Sequence, residues 1–154
     1  MSGRIQARLD ELGLTLPAPA APVAAYVAHV TSGKLVFVSG QLPLRDGRIA
    51  CTGHLGGGVS IEEGYAAAKL CGLNLLSQIR DAAGDLDRVR RVVKVGGFVS
   101  CIADFTDHPK LINGASDLML DVFGKAGRHA RFAVGAPSLP LGAAVEVDGL
   151  FELE

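Results

Sequence analysis

The chain lacks tryptophan altogether, and aromatic residues make up only 5% of its 154 residues. A binding platform built on aromatic side chains is therefore not expected. The formal net charge of −1 supplies no general attraction to nucleic acid or to an anionic membrane. No apolar run approaches the length of about 18 residues that a transmembrane helix requires, and the N-terminus lacks a signal-peptide core. These absences predict a cytoplasmic protein with neither nucleic acid nor a membrane as its partner.

Cysteine and histidine are too few and too scattered to suggest a metal site. The cysteines include no C-x-x-C pair, which argues against structural zinc and a disulfide framework and favours a reducing compartment; they are Cys51, Cys71 and Cys101. The histidines show no metal-ligand spacing with one another or with the cysteines; they are His29, His54, His108 and His129. We therefore expect no bound metal.

Three helices are predicted from hydrophobic periodicity. In "RIQARLDELG", Ile5, Leu9 and Leu12 share one stripe that ends at Gly13, and a Pro/Ala connector follows. Ser60 and Glu63 form an S-x-x-E capping box, which predicts a helix over residues 61–83. A third helix follows the Asp cap in "DHPKLINGASDLMLDVFGKAG" and ends at one of its glycines.

Strand signals surround the two long helices. Two runs rich in β-branched residues, "AYVAHV" and "KLVFVSG", come before the second helix, and "RVRRVVKVGGFVSCI" lies between the long helices with a bend or bulge expected at its double glycine. Two further strands, joined by "SLPLG" as a hairpin, close the chain. This order predicts an α+β fold in which two long helices cover one face of a mixed or antiparallel sheet. A homo-oligomer covering the other face is the natural inference.

The glycine-rich segment 53–58 leads directly into the second helix. Backbone N–H groups at a helix N-terminus attract anions, but the segment lacks the lysine of a P-loop. We therefore interpret it as a surface or interface loop, with a small carboxylate ligand nearby as the alternative.

Two charges stand out in the apolar C-terminal strands. Arg131 and Glu146 lie 15 positions apart, and an unpaired charge on an apolar strand costs free energy. The alternation of "VEVDGLFELE" points Glu146 away from the apolar face, which taken alone describes an exposed glutamate. Arg131 has apolar neighbours, and a guanidinium on a rigid strand can clamp a carboxylate with two hydrogen bonds. His129 would share the face of Arg131, although a surface histidine is the simpler interpretation.

The chain resembles the Rid/YjgF superfamily of enamine and imine deaminases, also called endoribonuclease L-PSP. The resemblance rests on "YV" at 26–27, "VSGQLP" at 38–43, "NGAS" at 113–116 and "AR…LP…VEV" over 130–147. It covers residue 20 to the C-terminus, so residues 1–19 are described as an N-terminal helix with its connector and residues 20–154 as the family domain. It implies a chorismate-mutase-like fold assembled as a homotrimer with clefts between subunits.

The resemblance also implies a reaction and a set of site residues. A hydrolytic deaminase would convert 2-imino or 2-enamino acids to 2-keto acids and ammonia without a cofactor. Arg131 would anchor the substrate carboxylate and Glu146 would position water. Family positions that shape the pocket fall on Tyr26, Ser39, Gly40, Asn113 and Ala133.

One departure keeps a second hypothesis open. Many deaminating members carry a cysteine two residues after the arginine, where this chain has Ala133. The alternative is a non-catalytic trimer that binds small carboxylates as a sensor or regulator. RNA cleavage is suggested only by the old family label, and the near-neutral charge and the missing histidine pair argue against it.

Overall fold

The computed structural model describes residues 3–22 and 24–154. In it a 23-residue helix, α2 (Ile61–Ala83), occupies the span that the capping box predicts. The Ser60 hydroxyl accepts a hydrogen bond from the Glu63 N–H at 3.1 Å, and the Glu63 carboxylate accepts one from the Ser60 N–H. Asp107 precedes the other long helix, α3 (His108–Phe123), which ends at Gly124 as expected. Both helix predictions are confirmed.

The strands form one large sheet and two small pairs. The small pairs join β3 (Leu44–Arg45) to β4 (Arg48–Ile49) and β5 (His54–Leu55) to β6 (Gly58–Val59). The large sheet has the order β1-β2-β9-β7-β8; its members are β1 (His29–Ser32), β2 (Leu35–Gln41), β7 (Val89–Ser100), β8 (Ala130–Ala136) and β9 (Val145–Leu153). It is mixed, because β7 and β8 run parallel while the other pairs are antiparallel.

Two predictions about the sheet are wrong. Strands β8 and β9 do not form a hairpin, because β7 lies between them and pairs with both. The expected bulge at Gly96–Gly97 is also displaced, since these glycines pair in regular register and the irregularities fall between Val89 and Lys94. Glycine serves close packing here instead. A Cβ at Gly97 would meet the Ile112 side chain on α3, and one at Gly96 would overlap Phe132 and Asp148.

Both long helices cover one face of the sheet, as predicted. The fully buried side chains of Val95, Val145 and Val147 face this layer, together with Leu75 of α2 and Ile112 of α3. Alternation along β9 then places Glu146 and Asp148 on the opposite face. That face is partly uncovered and carries exposed apolar residues, since Val30, Phe37 and Val134 expose 53%, 48% and 43% of their surface.

The N-terminal segment packs on the same core. Ile5 and Leu9 of α1 (Arg4–Glu11) are buried in it, and the backbone N–H groups of Arg4 and Ile5 donate to the Asp87 carboxylate. The connector that follows is extended, and it is tied to α2 by two hydrogen bonds: Ser77 donates to the Pro17 carbonyl, and Gln78 donates to the Ala20 carbonyl at 2.8 Å. None of the helices in the described parts of the chain is long and apolar enough to cross a membrane.

Candidate functional site

Glu146 reaches into a cleft of about 260 Å³ beside the end of β2. The connector, the β2–β3 segment and the turn before β9 supply most of its walls, which are largely apolar; they include Ala20, Pro22, Leu42, Leu44, Pro140 and Leu141. Burial raises the pKa of the Glu146 carboxyl above its ordinary value of 4.5, and the nearby charge of Asp148 raises it further. A carboxylate held in this way accepts a proton more readily than one on an open surface.

Three of the residues predicted for the pocket line the same cleft. They are Tyr26, Ser39 and Gly40, two of them at the end of β2. The Ser39 hydroxyl donates to the Val27 carbonyl at 3.0 Å, which ties the segment carrying Tyr26 to the strand. A Cβ at Gly40 would overlap the Glu146 carboxylate, so glycine lets the strand pass close to that side chain without displacing it. Glu146, Tyr26, Ser39 and Gly40 therefore come together as one group.

Arg131 lies elsewhere, between β8 and α3. Its Nη1 donates to Asn113 Oδ1 at 2.8 Å and to Ser116 Oγ at 3.2 Å, and its Nη2 donates to the Pro109 carbonyl at 3.5 Å. A guanidinium has five N–H donors, so two remain without a partner among the described residues, Nε–H and one on Nη2. Nε and Nη2 share the edge that binds a carboxylate with two parallel hydrogen bonds.

A chain of hydrogen bonds behind Arg131 determines the tautomer of His129. His129 Nδ1 lies 2.6 Å from the Gly127 carbonyl, which can only accept, so Nδ1 carries the proton in the neutral ring. Nε2 must then accept from the Ser116 hydroxyl, which lies 2.8 Å away. The Ser116 oxygen is left to accept from Arg131. Ser116 is buried, so its hydrogen bond fixes the Nη1 side of the guanidinium.

The structure does not bring Arg131 and Glu146 together within one described chain. Arg131 pairs across to Val95, whose side chain faces the helices, whereas Glu146 pairs with Phe98 on the other face. Arg131 and Glu146 therefore lie on opposite faces of one sheet, separated by β7. Asn113 and Ala133 belong to the Arg131 group, and Ala133 pairs with Gly97 on the helix-covered face.

A cysteine and a histidine contact each other beside β8. Cys101 Sγ is 3.5 Å from His108 Nε2, and a Cβ at Gly135, two residues beyond Ala133, would overlap both. His54 donates from Nε2 to the Pro137 carbonyl at 3.0 Å, which ties the glycine-rich loop to the end of β8. His54 and His108 make packing and hydrogen-bonding contacts within the chain.

Sequence reasoning missed Ser116 and Leu141, and it understated His129. Ser116 follows Asn113 by one helical turn, a spacing that could have placed both on the same face of α3. His129 was placed on the face of Arg131, but its contact with Ser116 is visible only in three dimensions.

Known proteins of several organisms share this architecture. The family model described as "YjgF/chorismate mutase-like, putative endoribonuclease" matches residues 6–153. Protein TCP17 of Trypanosoma cruzi is 54% identical over 153 residues, which are 99% of this chain and 96% of that protein.

Solved structures agree with this assignment. The protein Atu1372 of Agrobacterium tumefaciens, described as having unknown function, is 47% identical with a TM-score of 0.91, and the match covers 97% of this chain and 92% of that one. A "putative endoribonuclease" from Shewanella oneidensis MR-1 is 36% identical with a TM-score of 0.95, covering 98% of this chain and 100% of that one. On sequence and fold together, the chain belongs to the YjgF/chorismate mutase-like family, the Rid/YjgF superfamily.

Proposed function

We propose that the protein is a cofactor-independent hydrolase that converts 2-imino acids to 2-keto acids and ammonia. It acts as a homotrimer whose site is shared between two subunits. One subunit supplies Arg131 and Asn113, and its neighbour supplies Glu146, Tyr26, Ser39 and Gly40. The observation that carries the proposal is Glu146, a half-buried carboxylate in a small apolar cleft that pairs with no basic side chain of the described residues.

The shared site follows from the division of the two groups between faces. A substrate of a few heavy atoms cannot contact Arg131 and Glu146 of the same subunit, because the sheet lies between them. The face that carries Glu146 is partly uncovered, and a second subunit packed on it would bury Phe37 and Val134. That packing would also allow the helix-side edge of one subunit to approach the cleft of the next.

The chemistry needs only positioning and proton transfer. Arg131 holds the substrate carboxylate, which fixes the adjacent C=N carbon near Glu146. Glu146 takes a proton from water as the oxygen attacks that carbon, and a carbinolamine forms. The proton then passes to the amine nitrogen and the C–N bond breaks. Ammonia leaves as the C=O bond forms and takes up the hydroxyl proton, so an iminium and water yield a keto acid and ammonium.

A second candidate is a trimer that binds small carboxylates without turning them over. Ala133 favours it, because this position lacks the thiol that many deaminating relatives carry. In that case Arg131 would bind keto acids and Glu146 would only shape the cleft.

The test is hydrolysis of imino acids generated in place by an amino-acid oxidase, followed through keto-acid release. We expect acceleration by the wild type, and a loss of about 100-fold or more in Glu146→Gln, as for removal of a general base. Arg131→Ala should lose a comparable factor in kcat/KM. The matched controls are Glu152→Gln, on the same strand and face, and Arg128→Ala. Tight keto-acid binding without acceleration of any imine would favour the second candidate.

A further inference from the structure

We propose that the Glu146 cleft selects 2-imino acids with an apolar side chain of about the size of leucine's, and that Leu141 is the residue that makes this selection. The inference rests on the proposed function and concerns its substrate class. Two independent features carry it: the apolar walls of the cleft and the backbone conformation of Leu141.

The size of the cleft limits the ligand. Drug-sized ligands occupy pockets of about 300–1,000 Å³, so a cleft of about 260 Å³ fits a small metabolite. Its polar groups, which include Glu146 and the Ser39 hydroxyl, are enough to contact the reacting end of the substrate. Leu42, Leu44 and Pro140 would contact nothing on an imine as small as that of alanine. A branched apolar side chain would cover these three residues and displace water to which they offer no side-chain hydrogen bonds.

Leu141 adopts a backbone conformation that its residue type disfavours. Its φ of 58° and ψ of 20° lie in the left-handed region, and the residue is 65% exposed while lining the cleft. Among the described residues, Asp46 is the other non-glycine residue with positive φ, and aspartate tolerates that region well. Leucine has no such compensation. Backbone strain of this kind persists where the side chain serves a function.

The turn itself does not require a leucine. Glycine or asparagine at position 141 would adopt the same backbone conformation more easily, and Gly142 follows with a φ of 72°. What leucine adds is an apolar side chain that lines the cleft, one wall of which is formed by Ala20 and Pro22. That wall is held in place by the hydrogen bond from Gln78 to the Ala20 carbonyl, so a defined side-chain size can be selected.

Two variants separate the side chain of Leu141 from its strain. Leu141→Ala removes the side chain and keeps most of the strain, whereas Leu141→Gly removes both. We expect the wild type to prefer the imine made from leucine over that from alanine by at least about tenfold in kcat/KM. Both variants should reduce this ratio by about fivefold or more, and only Leu141→Gly should also raise the melting temperature. Leu120→Ala, at an exposed leucine of α3, should leave the ratio unchanged.

Three outcomes would overturn the inference. A wild-type ratio near one would show that the cleft does not select by side chain, while imine hydrolysis itself would stand. An unchanged ratio in both Leu141 variants would remove Leu141 from selection. A changed sedimentation profile in the variants would assign Leu141 to packing between subunits.

Binding tests the cleft without catalysis. Calorimetry should show 4-methyl-2-oxopentanoate binding at least about tenfold more tightly than pyruvate, and Leu141→Ala should reduce that difference. If no imine is hydrolysed but this preference is found, the proposed reaction fails and the apolar subsite stands. If the two keto acids bind equally, the subsite fails whatever the activity.

Discussion

At Glu146, burial is costly to the fold, and under the proposed function the same burial favours proton transfer to the side chain. Burial and the charge of Asp148 both disfavour the ionised form and raise the carboxyl pKa. The ionised form of Glu146 is thus less stable in the folded protein than in the unfolded chain. The contribution of the Glu146 side chain to the free energy of unfolding is therefore most favourable below its unfolded pKa. That contribution is lost as pH rises through the higher folded pKa.

Glu146→Gln should therefore stabilise the protein near pH 7, by up to about 1 kcal/mol because the group is only half buried. Glutamine resembles the protonated acid and carries no charge into the cleft. As pH falls through the raised pKa, the wild-type carboxyl becomes protonated and the difference should shrink. Denaturant unfolding at pH 7 and near pH 4 measures it. Glu152→Gln on the same strand should change stability little, and a Glu146 variant less stable than wild type at pH 7 would contradict the argument.

At the scale of elements, Arg131 is a strand residue whose orientation depends on a helix. Asn113 and Ser116 of α3 accept from its Nη1, and His129 orients the Ser116 hydroxyl from the other side. The edge of the guanidinium that would face a ligand is thereby set by groups of α3 and of the segment just before β8.

Ser116→Ala should weaken keto-acid binding about fivefold, the effect of one hydrogen bond. It removes an acceptor for Arg131 and leaves His129 Nε2 without its donor. Isothermal calorimetry with a 2-keto acid measures the dissociation constant. Ser100→Ala, an equally buried serine at the end of β7, is the matched control. Equal weakening by both substitutions would mean that Ser116 acts only through general stability.

Helix α2 packs closely on α3 at two glycines that have different neighbours. A Cβ at Gly114 would overlap the Tyr65 carbonyl, which is backbone and cannot move aside, whereas a Cβ at Gly72 would meet the end of the Leu118 side chain at 2.8 Å. The same interface carries a hydrogen bond of 2.6 Å from the Tyr65 hydroxyl to Asp117, which raises the pKa of Tyr65 to about 12.

Gly114→Ala should therefore destabilise the protein by about 2 kcal/mol or more, since the helices must separate. Gly72→Ala should be close to neutral, because Leu118 can shift and alanine favours the helix by about 1 kcal/mol. Urea denaturation of the two variants provides the comparison. Similar losses in both would show that the interface is equally rigid at the two sites.

At the scale of the whole molecule, one feature determines where a reaction can occur: the two charged groups lie on opposite faces of the sheet. Arg131 faces the helices and Glu146 faces the uncovered side. Each subunit would then hold half of two different sites. The partly exposed Val30, Phe37 and Val134 mark the surface on which subunits would meet.

Mixing two inactive variants should therefore restore activity. In trimers reassembled from equal amounts of Arg131→Ala and Glu146→Gln, about one site in four would combine a native arginine with a native glutamate. We expect about a quarter of wild-type turnover after joint refolding, and almost none when the variants are mixed without exchange. Sedimentation should show a trimer throughout. An inactive refolded mixture that is fully trimeric would place each site within a single subunit.

Local signals in the chain were enough to place the helices and the four longest strands, whereas the strand expected in "AYVAHV" begins only at His29. The capping box at Ser60 located α2 to the residue, and Gly13 and Gly124 ended helices where expected, because capping and turn chemistry act over a few residues. The residues of the candidate site came from the family resemblance. Their division into an Arg131 group and a Glu146 group is visible only in the structure.

Long-range pairing and side-chain direction were decided only in three dimensions. The local sequence predicts that β8 and β9 form a hairpin. Both strands instead pair with β7, which lies some thirty residues or more away in the chain. Because β7 lies between β8 and β9 in the sheet, it separates Arg131 from Glu146. The strained Leu141 lies in the connection from β8 to β9, which has to cross β7. Periodicity reports which residues are apolar at each step of a strand, whereas the neighbour of each strand depends on the packing of the entire sheet.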